Sequence, residues 1–226
     1  MSLRLGQTAA APGRRGCTSG TRWLVGLTAL LFAIPALASS PLVASFRILR
    51  GDTEQELVVI RDEQRIEYRF AHGERQLWLR GRDGITLIRM FEQDRRAVEY
   101  APGDLAALHA VPDWESLGEL LAPRRRATLT ADGQAQWLDH PGALLTDEGS
   151  VERALWSTEL SLPLWWQQAG QRIELSALSS PSDDPFSAIN RFPIIDYADM
   201  GDLEKDPFAR AFIHFGDGHA HPQGGH

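Results

Sequence analysis

The first half of the chain alternates apolar and polar residues with a period of two, which is typical of β-strands with one dry and one wet face. The clearest case is residues 65–70 (RIEYRF), in which every second residue is apolar. Residues 85–91 (ITLIRMF) carry apolar residues on both faces and predict a central strand that is covered on both sides. Residues 44–100 are therefore predicted to form consecutive strands of an antiparallel meander.

The period changes after Pro102 and Gly103. Asp104 and Asp113 are residues of the type that caps helix N-termini. Trp114 and the leucines that follow it have helical spacing, and Pro123 is expected to end that helix. The pattern predicts two short helices near residues 104–122.

Strand-type patterns resume after the helices, at residues 127–130, 134–138, 151–162 and 172–178. The whole pattern predicts a mainly β (α+β) domain over 39–179. Its predicted architecture is a curved antiparallel sheet or half-barrel with two short helices inserted. An acidic C-terminal extension is expected over 180–213 and a His- and Gly-rich tail over 214–226. The tail is expected to be disordered after about Gly216 unless a metal orders it.

The N-terminus has the order of a secretory signal peptide. Arg14, Arg15 and Arg22 precede an apolar run, residues 23–34, and the small-residue motif Ala-Leu-Ala ends at Ala38. The run is shorter than the 20 or so residues of a membrane span. We predict a signal peptide over 1–38, cleavage near Ala38, and a periplasmic or secreted protein. The only cysteine, Cys17, precedes the apolar run, so no lipid attachment and no stable membrane anchor of the mature form are expected.

Composition narrows the function classes. Four of the 23 basic residues precede position 39 and none of the 30 acidic ones does, so the exported part is more acidic than the net charge of −7 of the whole chain. Such a chain is not expected to bind nucleic acid. The sequence has no nucleophile elbow, zinc-protease or phosphate-loop motif. It therefore favours a binding or accessory protein over an enzyme, with a carboxylate-based hydrolase as the catalytic alternative.

The C-terminal tail is the sharpest candidate for chemistry. Its imidazoles are the preferred protein ligands of copper, nickel and zinc, and the flanking glycines would let the backbone wrap around an ion. The candidate ligands are His214, Asp217, His219, His221 and His226. The alternative interpretation is a solvated terminus that binds metal adventitiously. An acidic run over 196–206 has the carboxylates that calcium prefers, but not the EF-hand spacing, and Asp202 or Asp206 could instead cap a final helix.

Tryptophans form the second candidate site. Trp165 and Trp166 follow the point where the strand pattern ends, and Trp114 begins the second predicted helix. Together they could line an apolar ligand cleft at the sheet rim. The alternative is that these large rings fill the core.

The order of signal peptide, meander (residues 44–100), short helices (near 104–122) and further strands resembles the layout of periplasmic lipoprotein carriers. The resemblance implies a curved half-barrel with a helical lid, although no motif of that family is found residue by residue. The sequence thus predicts an exported binding or accessory protein that captures a transition metal through its tail. The alternative is a carrier of an apolar ligand, such as a lipid, on a concave sheet face lined by tryptophans. The sequence makes no prediction of the oligomeric state.

Overall fold

The computed structural model describes residues 40–215, and twelve strands of this part of the chain form one sheet. The strands are β1 (Leu42–Arg50), β2 (Thr53–Arg61), β3 (Arg65–Phe70), β4 (Glu74–Arg80), β5 (Ile85–Phe91), β6 (Arg96–Tyr100), β7 (Thr130–Trp137), β8 (His140–Thr146), β9 (Arg153–Ser157), β10 (Leu162–Gln168), β11 (Gln171–Ser179) and β12 (Ile194–Asp196). The helices are α1 (Pro102–Ala107), α2 (Trp114–Glu119), α3 (Pro123–Arg126) and α4 (Pro207–Phe215), with 3₁₀ helices at Ser187–Arg191 and Tyr197–Asp202. The predicted mainly β fold class is confirmed.

The strand order explains why the connection between β6 and β7 is long. The order across the sheet is β12-β6-β5-β4-β3-β2-β1-β11-β10-β9-β8-β7, and every neighbouring pair is antiparallel except β12 with β6. β6 and β7 follow one another along the chain but lie near opposite edges. Residues 101–129, which we call the helical segment, therefore connect the two ends of the sheet.

Within the described residues the sheet is curved but unclosed, with β12 and β7 at its edges. Strand twist and bulges, such as the one between Ser45 and Phe46 of β1, bend a sheet. The bend is visible at Trp137 of β7. Its indole nitrogen donates a hydrogen bond of 2.7 Å to the carbonyl oxygen of Leu175 on β11, although three strands lie between them in the sheet order. The curved half-barrel is thus an observed property of this chain.

Different segments of the chain pack on the two faces of the sheet. On one face Ile66, Trp78, Leu87 and Tyr100 lie opposite one another across four strands and pack with residues of α1, α2 and α4. We call this the helical face. On the other face, Phe186 packs on a cluster that includes Ile60, Leu77, Ile88 and Met90. The central strand β5 is buried on both faces, as its apolar pattern predicted.

The segment after β11 belongs to the fold. Arg65 lies over the ring of Phe186 at 4.1 Å and pairs with Asp184 at 3.0 Å. Arg69 donates a hydrogen bond of 2.6 Å to the carbonyl oxygen of Pro185. These contacts fasten the start of the acidic extension to the face opposite the helical segment.

Two local predictions for the second half of the chain are wrong. The predicted break between the strands 127–130 and 134–138 is absent, because Asp132 and Gly133 lie inside β7 and form a bulge there. The turn comes later, at Leu138 and Asp139, which both have positive φ (49° and 64°), as two-residue hairpin turns require. The segment 151–162 is not one strand: it contains the whole of β9, a turn that includes Ser161 at a positive φ of 45°, and the first residue of β10.

Candidate functional site

The helical segment begins with two capped helices. Asp113 is the N-cap of α2, as predicted: its carboxylate accepts hydrogen bonds from the backbone N–H of Ser116 (3.0 Å) and from the Ser116 hydroxyl (2.6 Å). These hydrogen bonds lower the pKa of Asp113. Asp104 is not the cap of α1. It lies in the first turn and accepts from the backbone N–H of Ala101, which is the cap residue. Capping sets the start of α2, and thereby places Trp114 in its first turn.

Two side chains of the sheet bind the C-terminal end of α2, whose last carbonyls have no partner within the helix. The Arg61 guanidinium donates to the carbonyl oxygens of Gly118, Leu160 and Ser161. The Tyr68 hydroxyl donates to the carbonyl oxygen of Leu117. Burial lowers the pKa of Arg61 and raises that of Tyr68 well above its usual range. Arg61 thus joins the end of β2, the end of α2 and the β9–β10 turn at one point.

α3 was not predicted, because Pro123 was expected only to end the preceding helix. Proline is well tolerated in the first turn of a helix, and here it begins α3. Arg125 of this helix donates to the buried carboxylate of Glu152 and pairs with Asp147 at 2.8 Å. These hydrogen bonds raise the pKa of Arg125. The far end of the helical segment is therefore held to the loop between β8 and β9.

A cavity of about 480 Å³ lies beside α2, and we call it the Trp114 groove. Its apolar lining consists of Leu42, Ile66, Trp114 and Leu160, and its acidic lining of Asp62, Glu63, Glu115, Glu119 and Glu159, with Ser40, Arg61, Gly118 and Ser161 completing it. Ile66 is buried, whereas Glu63, Glu115 and Glu159 are exposed. The groove therefore combines an apolar lining with an acidic rim.

The electrostatics of the groove disfavour an additional negative charge. Burial raises the pKa of Glu119, and the repulsion from Glu115 and Asp113 adds to this shift although Arg126 and Arg61 oppose it. The Arg126 guanidinium lies 3.0 Å from the Glu119 carboxylate. Arg61, the cation in the groove lining, is engaged with backbone carbonyls, and the Arg80 guanidinium lies 5.8 Å from the centre of the Trp114 ring. The groove is thus suited to neutral or cationic groups.

Of the three predicted cleft tryptophans, Trp114 lines this groove and the other two do not. Trp165 and Trp166 are consecutive residues inside β10, not at its end, and lie opposite Glu174 and Ile173 of β11. Arg172 lies over the Trp165 ring at 4.7 Å, and the Trp166 indole donates to Glu152 at 3.0 Å. Both rings pack against the core, so the structure does not bring the three tryptophans together.

A second cavity, of about 540 Å³, lies between the β3–β4 and β5–β6 turns. Phe70 and Phe91 form its aromatic lining, and His72, Glu74 and Glu92 are among its polar residues. The His72 imidazole lies 3.5 Å from the Glu74 carboxylate, which Arg89 binds at 2.9 Å. Glu74 therefore serves the Arg89 ion pair within the fold.

Of the five candidate metal ligands, one lies within the described residues. His214 lies in α4, and Asp217, His219, His221 and His226 lie outside the described residues. Among residues 40–215, no group of three or more His, Cys, Asp or Glu side chains is arranged to hold a metal ion. In the acidic run, Asp196 caps a 3₁₀ helix and Asp206 accepts the backbone N–H of Phe208 at the start of α4. Of the two predicted alternatives for the cap of the final helix, Asp206 is the cap, whereas Asp202 ends the preceding 3₁₀ helix.

The predicted signal peptide and its cleavage site also lie outside the described residues. In the described part of the chain, we find no helix with the length and hydropathy that a membrane span requires.

Sequence signals could have found part of the groove. The Asp113 cap and the helical spacing after it located Trp114 correctly. Arg61 was missed, because it ends an ordinary strand pattern and its three acceptors lie 57 to 100 positions further along the chain. Only the folded chain brings these positions together.

No protein-family model matches this chain, and no curated protein matches it in sequence. Among solved structures, a chain of the Pseudomonas aeruginosa MucA/MucB complex is similar, with 13% identity and a TM-score of 0.41 over 70% of this chain. This chain matches 59% of that chain's length.

Two further structures match over 67% of this chain. One is a putative outer membrane lipoprotein-sorting protein domain from Vibrio parahaemolyticus, with 10% identity and a TM-score of 0.32 over 89% of that chain. The other is a DUF1329 family protein from Desulfovibrio piger, with 8% identity and a TM-score of 0.32 over 90% of that chain. At these identities and TM-scores, the matches assign neither a family nor a function.

Proposed function

We propose that this chain is an exported periplasmic protein of the accessory or ligand-binding class, and that it holds an apolar group of its ligand in the Trp114 groove. The order of charged, apolar and small residues over 1–38 supports export. The observation that carries the binding proposal is the groove itself, a cavity of about 480 Å³ with an aromatic and aliphatic lining beside a firmly held helix.

The groove has the features of a binding site rather than of a packing defect. Ligand sites are concave, mostly preformed and lined by apolar side chains with a few polar groups. Here Arg61 and Tyr68 hold α2 in place through its terminal carbonyls, so the wall that carries Trp114 is fixed before a ligand arrives. A preformed site loses less conformational entropy on binding.

A neutral apolar fluorophore, N-phenyl-1-naphthylamine, tests this proposal with the protein purified from the periplasm. We expect saturable binding, with energy transfer from tryptophan to the bound probe. Trp114→Phe should remove the largest share of this transfer, because Trp114 lines the groove. The matched control is Trp165→Phe, since Trp165 is a half-buried tryptophan outside the groove.

The affinity of the probe is followed separately through its own emission. Trp114→Ala should weaken binding because it removes one wall of the groove. Two results would show that the groove is not the binding site. The first is that the probe does not bind saturably. The second is that Trp114→Phe and Trp165→Phe give the same energy transfer while Trp114→Ala binds the probe like the wild type.

A further inference from the structure

The rim of the Trp114 groove carries carboxylates that the fold itself does not use. Asp62 pairs with Arg65 at 2.8 Å and Glu119 pairs with Arg126 at 3.0 Å. Glu115 and Glu159 are exposed, and no hydrogen bond or ion pair reaches their carboxylates from any residue between 40 and 215. These two acids therefore remain available to a ligand.

The two acids stand on different elements. Glu115 lies in the first turn of α2, next to Trp114, and Glu159 lies in the β9–β10 connection, next to Leu160. Each free carboxylate thus adjoins an apolar side chain of the groove lining. A ligand that fits this arrangement has apolar groups with positive charges close beside them.

We infer that the ligand of the Trp114 groove is a polypeptide segment in which apolar side chains are flanked by lysine or arginine. This inference rests on the proposed function and names its ligand class. Charge complementarity selects the occupant: the acidic rim repels the phosphate of anionic lipids, while it attracts basic side chains and raises their association rate. The apolar lining accommodates the neighbouring aliphatic or aromatic side chains.

Two synthetic peptides of equal length and equal apolar content test the inference. The first is acetyl-KLFKLK-amide and the second acetyl-QLFQLQ-amide, each labelled with the same dye and followed by fluorescence anisotropy. The wild-type protein should bind the lysine peptide about ten-fold more tightly than the glutamine peptide, and this difference should shrink as salt screens the rim.

The matched protein variants have the same net charge. Glu115→Gln with Glu159→Gln removes the two free rim carboxylates, and Glu148→Gln with Glu204→Gln removes two exposed carboxylates outside the groove. We expect the rim variant to bind the lysine peptide about ten-fold more weakly, because a single surface charge pair has a modest effect and two pairs are lost. The control variant should bind this peptide like the wild type.

Each outcome has one meaning. Equal affinity for both peptides, or equal effects of the rim and control variants, overturns the inferred ligand class. If N-phenyl-1-naphthylamine binds near Trp114 but neither peptide displaces it, the proposed function stands and the polypeptide inference fails. Tighter binding to phosphatidylglycerol vesicles than to the lysine peptide also overturns the inference. If N-phenyl-1-naphthylamine does not bind saturably, the proposed function itself fails.

Discussion

Replacing Arg61 by methionine should release the helix that forms one wall of the groove. The guanidinium donates to the carbonyl oxygens of Gly118, Leu160 and Ser161, and the last of these bonds is long, at 3.3 Å. Methionine retains most of the apolar stem but donates no hydrogen bond. The substitution therefore isolates the contribution of the guanidinium.

The magnitude follows from these contacts. A hydrogen bond from a charged donor contributes about 1.5–3 kcal/mol, so the two shorter bonds have a gross contribution of roughly 3–6 kcal/mol. Desolvation of the half-buried guanidinium, which also lowers its pKa, offsets part of this gain. We expect Arg61→Met to lower the free energy of unfolding by about 2–4 kcal/mol.

Urea unfolding followed by tryptophan emission measures the global change, and hydrogen exchange of amides 114–121 measures the release of α2. Tyr68→Phe removes one hydrogen bond to the same helix and should cost about 1–2 kcal/mol. Arg50→Met, at an exposed arginine on β1, should change stability by less than about 0.5 kcal/mol. Wild-type stability and wild-type α2 protection in Arg61→Met would refute the reasoning.

Three further predictions concern charge. Burial raises the pKa of Glu119, so ionisation of this carboxyl disfavours the folded state as pH rises above 4.5. Urea unfolding should therefore show Glu119→Gln gaining stability relative to the wild type between pH 4.5 and 7. A difference in the free energy of unfolding that stays constant over this range would contradict the prediction. Glu74→Gln leaves the Arg89 side chain, which is 2% exposed, without its carboxylate partner. Urea unfolding should show a free energy of unfolding that is lower by about 3–5 kcal/mol. A loss below about 1 kcal/mol would show that the fold does not need this ion pair. If the tail binds metal, calorimetry of the chelator-stripped protein with copper(II) and zinc should show submicromolar binding that is lost in a chain ending at Ile213, and equal binding by both chains would exclude the tail.

Local patterns were sufficient for most of the strands and for two caps. The alternation in residues 65–70 reports which side of a strand is dry, and this depends on neighbours two residues away. The caps at Asp113 and Asp206 depend on a backbone N–H two or three residues away. Such features are encoded within one short segment, so sequence reasoning finds them.

The predictions fail where residues that are distant along the chain determine the local secondary structure. The weakly patterned segment 140–146 becomes β8 because it pairs with β7 and β9 on either side. Trp165 and Trp166 were expected beyond a strand end, whereas pairing with β9 and β11 extends β10 through both residues. Strand pairing is a long-range interaction, and β-propensity depends strongly on this context.

The sequence by itself determined that this chain is a mainly β protein with a negative net charge and a short helical interruption, in which Asp113 caps the helix that begins at Trp114. It also predicts an export signal over 1–38. The tertiary structure alone decided that β1 joins β2 to β11, so that the helical segment connects opposite ends of one curved sheet. It also decided that Arg61 meets the end of α2 and that Glu115 and Glu159 stand on one rim. The physical reason is that periodicity and capping act within a few residues, whereas a groove is formed by segments that are distant along the chain and close only after folding.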